Sequence, residues 1–362
     1  MRQILRSRPL GMTPLTAAAV LVVIVVAFVV PPVYGQFLPQ RLADYLVFGI
    51  AALAVGLIAG HARLLNVGVG ATFGVSAYTV AILTHHGVLN PLALLLASLA
   101  AGVAVSILFA IYSVVATGLE YLLLTLLTTV AFFSLPILFS GATGGENGLG
   151  ADGAVAISFG LDPLQGSGFY WLLSGVTVLW LAVSWYVLSS RAGRVMTAIG
   201  RNPTRAAAMG YSVHSYRVAI TFYSGVMAGS AGWLYVLEHA FVFPDLLGLP
   251  NSLNFVIYSL IGGVESVFGP LLGAAGLRYL GEYTGQQSTQ SRLYIALALL
   301  LVVYLLPNGI LGSWRRFGAL RQAARRTLAM RNEPAATRQA SAMRLAEGTE
   351  VGADSVLDDH MQ

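Results

Sequence analysis

Long uncharged apolar runs constrain this chain more than any other feature of its sequence. Residues 17–30 and 92–110 lie within such runs and contain no charged side chain. The runs approach the ~20 residues that a helix needs to cross a hydrocarbon core of about 30 Å. They do not alternate polar and apolar residues as the strands of a membrane barrel do. Only 10% of the residues are charged, against about a quarter in soluble domains, so we predict an all-α, polytopic helical membrane protein.

The apolar pattern predicts about ten transmembrane segments. The predicted spans are residues 15–33, 45–60, 64–83, 91–117, 121–139, 169–189, 218–237, 252–268, 270–283 and 293–306. The segments around Gly68 and around Gly273 are short or interrupted by glycine. Either of them is therefore predicted to be a broken or re-entrant helix rather than a full crossing.

The distribution of arginine predicts the orientation of the chain. Arginines concentrate near the N-terminus, in residues 191–217 and after residue 312, whereas residues 140–168 contain acidic residues and no basic one. By the positive-inside rule, both termini and the 191–217 loop are cytoplasmic and residues 140–168 lie outside. The predicted regions are a transmembrane domain at 1–312 and a partly disordered, arginine-rich cytoplasmic tail at 313–362.

Several classes of chemistry are not indicated by the sequence. All 20 basic residues are arginine, so a phosphate-binding loop of the Gly-Lys-Ser/Thr type is absent. There is no cysteine, no histidine–carboxylate motif with metal-ligand spacing and no nucleophile elbow. We therefore predict no enzyme, no metal, no cofactor in this chain and no nucleic-acid partner. If ATP drives the protein, another subunit binds the ATP and its Mg²⁺.

A glycine-rich stretch is the first candidate for function. Its candidate residues are Asn66, Gly68, Gly70, Phe73, Gly74 and Tyr78, to which we add Thr125, Gly262 and Gly263. Glycine-interrupted segments in the two halves of a membrane protein are typical of a translocation pathway near the bilayer midplane. The alternative interpretation is tight helix packing alone.

Two loops supply the other candidates. In the predicted outer loop, Gly144, Gly145, Glu146 and Asn147 form a dense turn that could contact an external partner, or an ordinary surface turn. In the 191–217 loop, Pro203 near a helix start and Gly210 near its end predict a short helix that could dock into another protein. An arginine-rich loop held at anionic lipid headgroups is the alternative.

Charge inside the predicted spans is scarce. The acidic residues of the helical region lie near predicted span ends, namely Glu120, Glu238, Asp245, Glu265 and Glu282. Proton- and sodium-coupled carriers usually need ionisable groups within the pathway. The pattern therefore favours a transporter that is driven from outside the bilayer.

Taken together, these stretches resemble the permease family of branched-chain amino-acid ABC importers, specifically the longer of its two permease subunits. The matching stretches are residues 64–78, 121–126, 143–148, 193–210, 224–229, 241–244, 262–270 and 306–312, in order. The chain departs from the family pattern at Val69, Val130 and Asn202, where polar or acidic residues are common, and these changes make the predicted pathway less polar.

The resemblance implies a permease half located in the bacterial cytoplasmic (inner) membrane. Its implied partners are a homologous second permease, two ATPase subunits, an extracytoplasmic solute-binding protein and the lipid bilayer. Arg201, Asn202, Pro203, Arg205, Ala206, Ala207 and Gly210 would form the coupling helix in the ATPase cleft. The implied cargo is a branched-chain or other small amino acid, although urea and short-chain amide permeases share much of the pattern.

Two other readings remain open at the level of sequence. A self-contained secondary carrier or channel for a small polar solute would also use paired broken segments. In a non-transporting membrane scaffold or assembly partner, the glycine pattern would serve helix packing alone.

Overall fold

The computed structural model describes residues 37–151 and 167–287. The predicted spans 15–33 and 293–306, most of the acidic part of the outer loop and the tail from residue 313 lie outside these described residues. The predicted domain boundary at 312 lies outside them as well.

The described residues are helical apart from short connections and one two-stranded ribbon. The elements are α1 (Phe37–Leu57) with a π turn (Ile58–Ala62), α2 (Val69–His85), α3 (Pro91–Val115), α4 (Leu119–Leu138), α5 (Ser140–Thr143), a 3₁₀ turn (Gly145–Asn147), β1 (Leu149–Gly150), α6 (Ser167–Ser189), α7 (Arg191–Arg201), α8 (Pro203–Ala208), α9 (Val213–His239), β2 (Phe241–Val242), a 3₁₀ turn (Pro244–Leu247), α10 (Leu249–Gly262) and α11 (Gly269–Gln287). Five of these helices, α1, α3, α4, α6 and α9, are long and apolar enough to cross a membrane. The chain is thus a polytopic helical membrane protein, as predicted.

Helix α1 begins earlier than the predicted span 45–60. It covers Phe37–Leu57 and continues as a π turn to Ala62, where Arg63 adopts a left-handed φ of 56° and ends the helix. The charged residues Arg41 and Asp44 are consequently part of the helix. The sequence prediction stopped short of them because a hydropathy criterion excludes charged residues from a span.

The predicted span 64–83 is a broken crossing. Its helix begins only at Val69, and residues 63–68 are not helical. Helix α4 satisfies this irregular backbone: the Val67 N–H donates to Thr125 Oγ1 at 3.3 Å and Thr129 Oγ1 donates to the Val67 carbonyl at 3.4 Å. Irregular backbone at membrane depth needs such partners, because lipid supplies none.

Helix α9 is the central helix of the bundle and packs against α1, α2 and α3. Its glycines allow close approach: the Cβ of an alanine at Gly225 would overlap Ser106, and one at Gly232 would overlap the Phe73 carbonyl. Ser98 Oγ donates to the Gly229 carbonyl at 2.8 Å across the α3–α9 contact. Small residues and hydroxyl hydrogen bonds are the usual means of packing where lipid offers no hydrophobic drive between helices.

Helices α10 and α11 form a hairpin packed on α1. The predicted span 252–268 was too long, because α10 ends at Gly262 and residues 263–268 form the turn. Gly263 has a φ of 105°, which favours glycine, and the Gly269 carbonyl occupies the space where Gly262 would carry a Cβ. The break predicted around Gly273 is wrong: α11 is continuous over 19 residues, and Gly273 instead allows the Tyr258 carbonyl of α10 to approach closely.

The two loops with opposite predicted locations lie at opposite ends of α9. The arginine-rich α7 and α8 precede its first residue, Val213, and the β ribbon follows its last, His239. In the ribbon, Leu149 pairs with Val242, which joins the outer loop to the far end of α9. A 27-residue helix is about 40 Å long, enough to separate the loops by a bilayer.

Candidate functional site

The predicted pathway residues of the glycine-rich stretch are buried inside this chain. Asn66, Phe73 and Tyr78 are at most 5% exposed, and Thr125 of α4 is fully buried. Asn66 Oδ1 accepts a hydrogen bond from the Gly68 N–H at 2.8 Å, which holds the entry to α2. Phe109 of α3 lies beside Gly68, and Thr125 of α4 accepts the Val67 N–H, so α3 and α4 both contact this entry.

Each glycine of the stretch admits a different neighbour. A Cβ at Gly68 would overlap the ring of Phe109 on α3, and one at Gly70 would overlap Ser252 on α10. A Cβ at Gly74 would meet Leu247 at 2.5 Å. These glycines therefore allow three other elements to pack closely against α2 and the residue before it. Helix packing is sufficient to explain why glycine occupies these positions.

Phe73 of the stretch belongs to a four-ring cluster. Phe73 packs against Phe48, Tyr235 and Phe255, with ring centroids 5.4 to 6.0 Å apart. These rings come from α1, α9 and α10, so the cluster joins both halves of the bundle. Aromatic pairs at such separations add to the energy of area burial.

Gly262 and Gly263 do not lie beside the stretch. Gly70 packs against Ser252, near the start of α10, whereas Gly262 is at the end of that helix, about 15 Å further along its axis. There a Cβ at Gly60, in the π turn, would overlap the Val264 carbonyl. The two glycines shape the hairpin turn next to the π turn.

The outer-loop residues form a tight turn with exposed polar tips. Gly144 and Gly145 have φ values of 75° and 62°, and the Gly148 carbonyl occupies the space beside Gly144. Glu146 and Asn147 are exposed. The turn is anchored beneath by Thr143 Oγ1, which donates to the Pro136 carbonyl at 2.5 Å. Such a turn presents two polar side chains on a backbone that glycine alone permits.

The short helix predicted after Pro203 is present as α8. Asn202 caps it, its Oδ1 accepting from the Arg205 N–H at 2.9 Å, and Pro203 occupies its first turn. Gly210 follows with a φ of 86°. Ala206 is buried at 1%, while Arg201, Asn202, Pro203, Arg205 and Ala207 are exposed.

Helix α7 packs between α8 and the π turn that ends α1. Its Met196 and Ile199 are buried, and the His61 carbonyl of the π turn fills the space that a side chain at Gly200 would need. Helix α7 thus lies between α8 and the π turn at the end of α1.

The structure also assembles a charged cluster that the sequence did not reveal. Asp44 of α1, Glu238 and His239 of α9 and Arg278 of α11 meet near the ribbon end of α9, and Arg278 forms an ion pair with Asp44. Glu238 was predicted to lie near a span end, which is correct in sequence, but its side chain is only 5% exposed. The sequence feature that could have revealed this cluster is Arg278. It is a charged residue inside the predicted span 270–283, where it needs an acidic partner.

Comparison with known proteins decides the family. Residues 40–306 match the family model described as branched-chain amino acid transport system / permease component. The chain belongs to this family. It is accordingly a multi-pass membrane permease subunit of an ABC transport system and not an enzyme. Family membership makes it a component of a larger system, which the hypothesis of a self-contained carrier did not predict.

Curated relatives of this permease carry names with different cargoes. The high-affinity branched-chain amino acid transport system permease protein LivM of Escherichia coli K12 is 25% identical over 294 residues, covering 74% of this chain and 68% of LivM. The autoinducer 2 import system permease protein LsrC of Enterobacter sp. 638 is 26% identical over 289 residues, covering 76% and 78%.

A third relative matches over a shorter region. The fructose import permease protein FrcC of Rhizobium meliloti is 33% identical over 141 residues, covering 35% of this chain and 38% of FrcC. No solved structure is a significant match to this chain.

Proposed function

We propose that this permease imports branched-chain or other small amino acids across the bacterial inner membrane, driven by ATP hydrolysis in separate subunits. The observation that carries the proposal is α8, a capped and exposed helix mounted on the bundle through α7. Alternating access needs a bistable bundle whose two states are bound differently by the driving subunits. Helix α8 is the element that such subunits would bind.

In the proposed mechanism, two ATPase subunits bind ATP and Mg²⁺ and close around the coupling helices of two permeases. Arg201, Asn202, Pro203, Arg205, Ala207 and Gly210 are exposed for this contact, and Ala206 packs inward. The motion passes from α8 through α7 to the π turn and α1. The broken crossing at Asn66–Gly74 would then change its packing and open the pathway between the permeases.

The remaining partners are assigned to the other faces of the bundle. Helix α4 exposes apolar side chains such as Leu123, Leu127 and Leu138, which suit lipid and a homologous second permease. The exposed Glu146 and Asn147 lie on the proposed external side, where a solute-binding protein would deliver cargo.

The cargo is the least constrained part of the proposal. An amino acid is favoured by the family description and by LivM, whereas LsrC and FrcC are named for other solutes. The second candidate is the same architecture carrying urea or short-chain amides, because permeases for those solutes share much of the sequence pattern.

The test is a coupling variant with a matched control. Replacing Ala207 by glutamate places a charge on the exposed face of α8, whereas Arg191→Glu changes an exposed residue at the start of α7. We expect Ala207→Glu to leave the chain stable and inserted but to abolish co-purification of the ATPase and ATP-driven uptake. Arg191→Glu is expected to retain both.

Cargo is tested in the same preparation. Proteoliposomes of the native complex, loaded with ATP, are supplied with labelled leucine, urea or fructose together with the matching periplasmic extract. Saturable, ATP-dependent leucine uptake supports the proposal, and urea uptake alone supports the second candidate. Uptake by this chain without ATP or an ATPase would contradict both.

A further inference from the structure

Three potential metal ligands converge where α1 and α9 meet. His239 Nε2 lies 3.6 Å from Asp44 Oδ1, and His239 Nδ1 lies 3.9 Å from Glu238 Oε2. One ligand atom from each of the three residues can be chosen so that all lie within 4.8 Å of one another. We call Asp44, Glu238 and His239 the carboxylate–histidine cluster.

Glu238 is the residue of the cluster that most clearly indicates a bound ligand. Its side chain is 5% exposed, and its Oε2 has no hydrogen-bond partner within residues 37–151 and 167–287. Burial of a carboxylate without a hydrogen bond or a bound cation is expensive. A cation in contact with Oε2 would remove this cost.

Arg278 forms its ion pair with Asp44 and no hydrogen bond with Glu238 Oε2. Its guanidinium pairs with Asp44 Oδ2 and lies 3.7 Å from the centroid of the Phe48 ring. The two oxygens of Asp44 are thereby divided: Oδ2 faces the arginine, and Oδ1 faces the histidine. In metal sites, a carboxylate that binds the ion is typically also hydrogen-bonded to a second protein group.

His239 is oriented like a ligand as well. Its Nδ1 lies 3.3 Å from the Tyr235 carbonyl, and its ring stacks on Tyr235 with centroids 4.2 Å apart. With the proton on Nδ1, donated to that carbonyl, Nε2 presents its lone pair towards Asp44 Oδ1. Metal-binding histidines almost always donate their other N–H in this way.

We propose that the carboxylate–histidine cluster binds a divalent transition-metal ion of the zinc class through one ligand atom of each residue, with Asp44 Oδ1 and His239 Nε2 as the nearest pair. The 3.6 Å separation between the histidine and aspartate ligand atoms is close to the ~3.4 Å expected for two ligands of a tetrahedral ion with bonds of about 2.1 Å. Two oxygens and one imidazole nitrogen suit zinc and its neighbours. The ion would tie the first turns of α1 to the last turn of α9, next to the ribbon, and the partly exposed His239 gives it access from that end.

Zinc binding to the purified full chain tests the proposal. The protein should carry an affinity tag without histidine, be stripped with a chelator and carry His85→Gln and His86→Gln, because these adjacent exposed histidines would bind zinc on their own. We expect one Zn²⁺ per chain by calorimetry and by elemental analysis. Glu238→Gln and His239→Gln should each weaken binding by at least ~10-fold.

The matched control is Glu282→Gln. Glu282 accepts a hydrogen bond from Tyr45 at 2.7 Å and lies near Arg41, so it is a neighbouring acidic residue outside the proposed ligand set. This variant is expected to bind zinc as the parent does.

A measurement on the protein without ligand substitutions keeps the proposal testable if the Glu238 and His239 variants do not fold. Co²⁺ added to the stripped parent protein should produce the intense visible absorption of a tetrahedral site, and equimolar Zn²⁺ should abolish it. Absence of that absorption together with no stoichiometric zinc would overturn the proposal. Zinc binding that Glu238→Gln leaves unchanged would overturn it equally, by assigning the ion to other groups.

Discussion

Single glycines in this permease decide which helices touch. Gly68 faces the ring of Phe109, whereas Gly175 of α6 has nothing within 4 Å of the position of a Cβ. Replacing Gly70 or Gly74 by leucine would damage the protein under both the packing and the pathway interpretation, because a side chain at either position overlaps a neighbour. A smaller change, combined with its neighbour, separates the two.

We expect Gly68→Ala to lower the free energy of unfolding by about 1–3 kcal/mol, because the new methyl group overpacks against Phe109. Phe109→Leu in the same chain removes the overlapping ring atoms and should restore stability. Gly175→Ala is the control and should be neutral or stabilise by up to about 1 kcal/mol. Thermal unfolding in detergent and transport are measured together: restored stability without restored transport would assign Gly68 to the pathway itself.

At the scale of elements, the cap of α8 is a defined target. Asn202→Ala removes the acceptor for the Arg205 N–H and should destabilise this short helix by about 1 kcal/mol. Because α8 is exposed, we expect the global melting temperature to change little and ATP-driven uptake to fall. Asn202→Asp retains the cap and should transport normally; a transport defect in both variants would assign Asn202 a direct contact instead.

The attachment of α11 to α1 is expected to depend on Arg278. Arg278→Leu leaves Asp44 buried without its guanidinium partner, and loss of one member of a buried pair costs about 3–5 kcal/mol. The matched control is Arg63→Leu, because Arg63 pairs with Glu265 at 3.1 Å with both side chains more than half exposed. An exposed pair contributes about 1 kcal/mol or less. Equal melting temperatures for the two variants would contradict the buried pair.

For the whole molecule, the orientation is directly testable because the chain has no cysteine. Asn147→Cys in the outer turn and Thr204→Cys in α8 both change exposed residues. In intact cells, a membrane-impermeant maleimide should label the first, and it should label the second only in inverted vesicles. Labelling of both from one side would refute the predicted topology.

The sequence by itself determined the class of this protein, the family and several local elements. Uncharged apolar runs specify membrane helices because a helix satisfies its own backbone hydrogen bonds in lipid. The residues Asn202 and Pro203 specify the start of α8 because capping is a local interaction. Only the tertiary structure decided which glycine meets which neighbour, where α2 and α10 begin and end, and that Asp44, Glu238, His239 and Arg278 meet. These residues lie on three helices that are far apart in the sequence, and their proximity follows from the packing of α1 against both α9 and α11, which hydropathy does not encode.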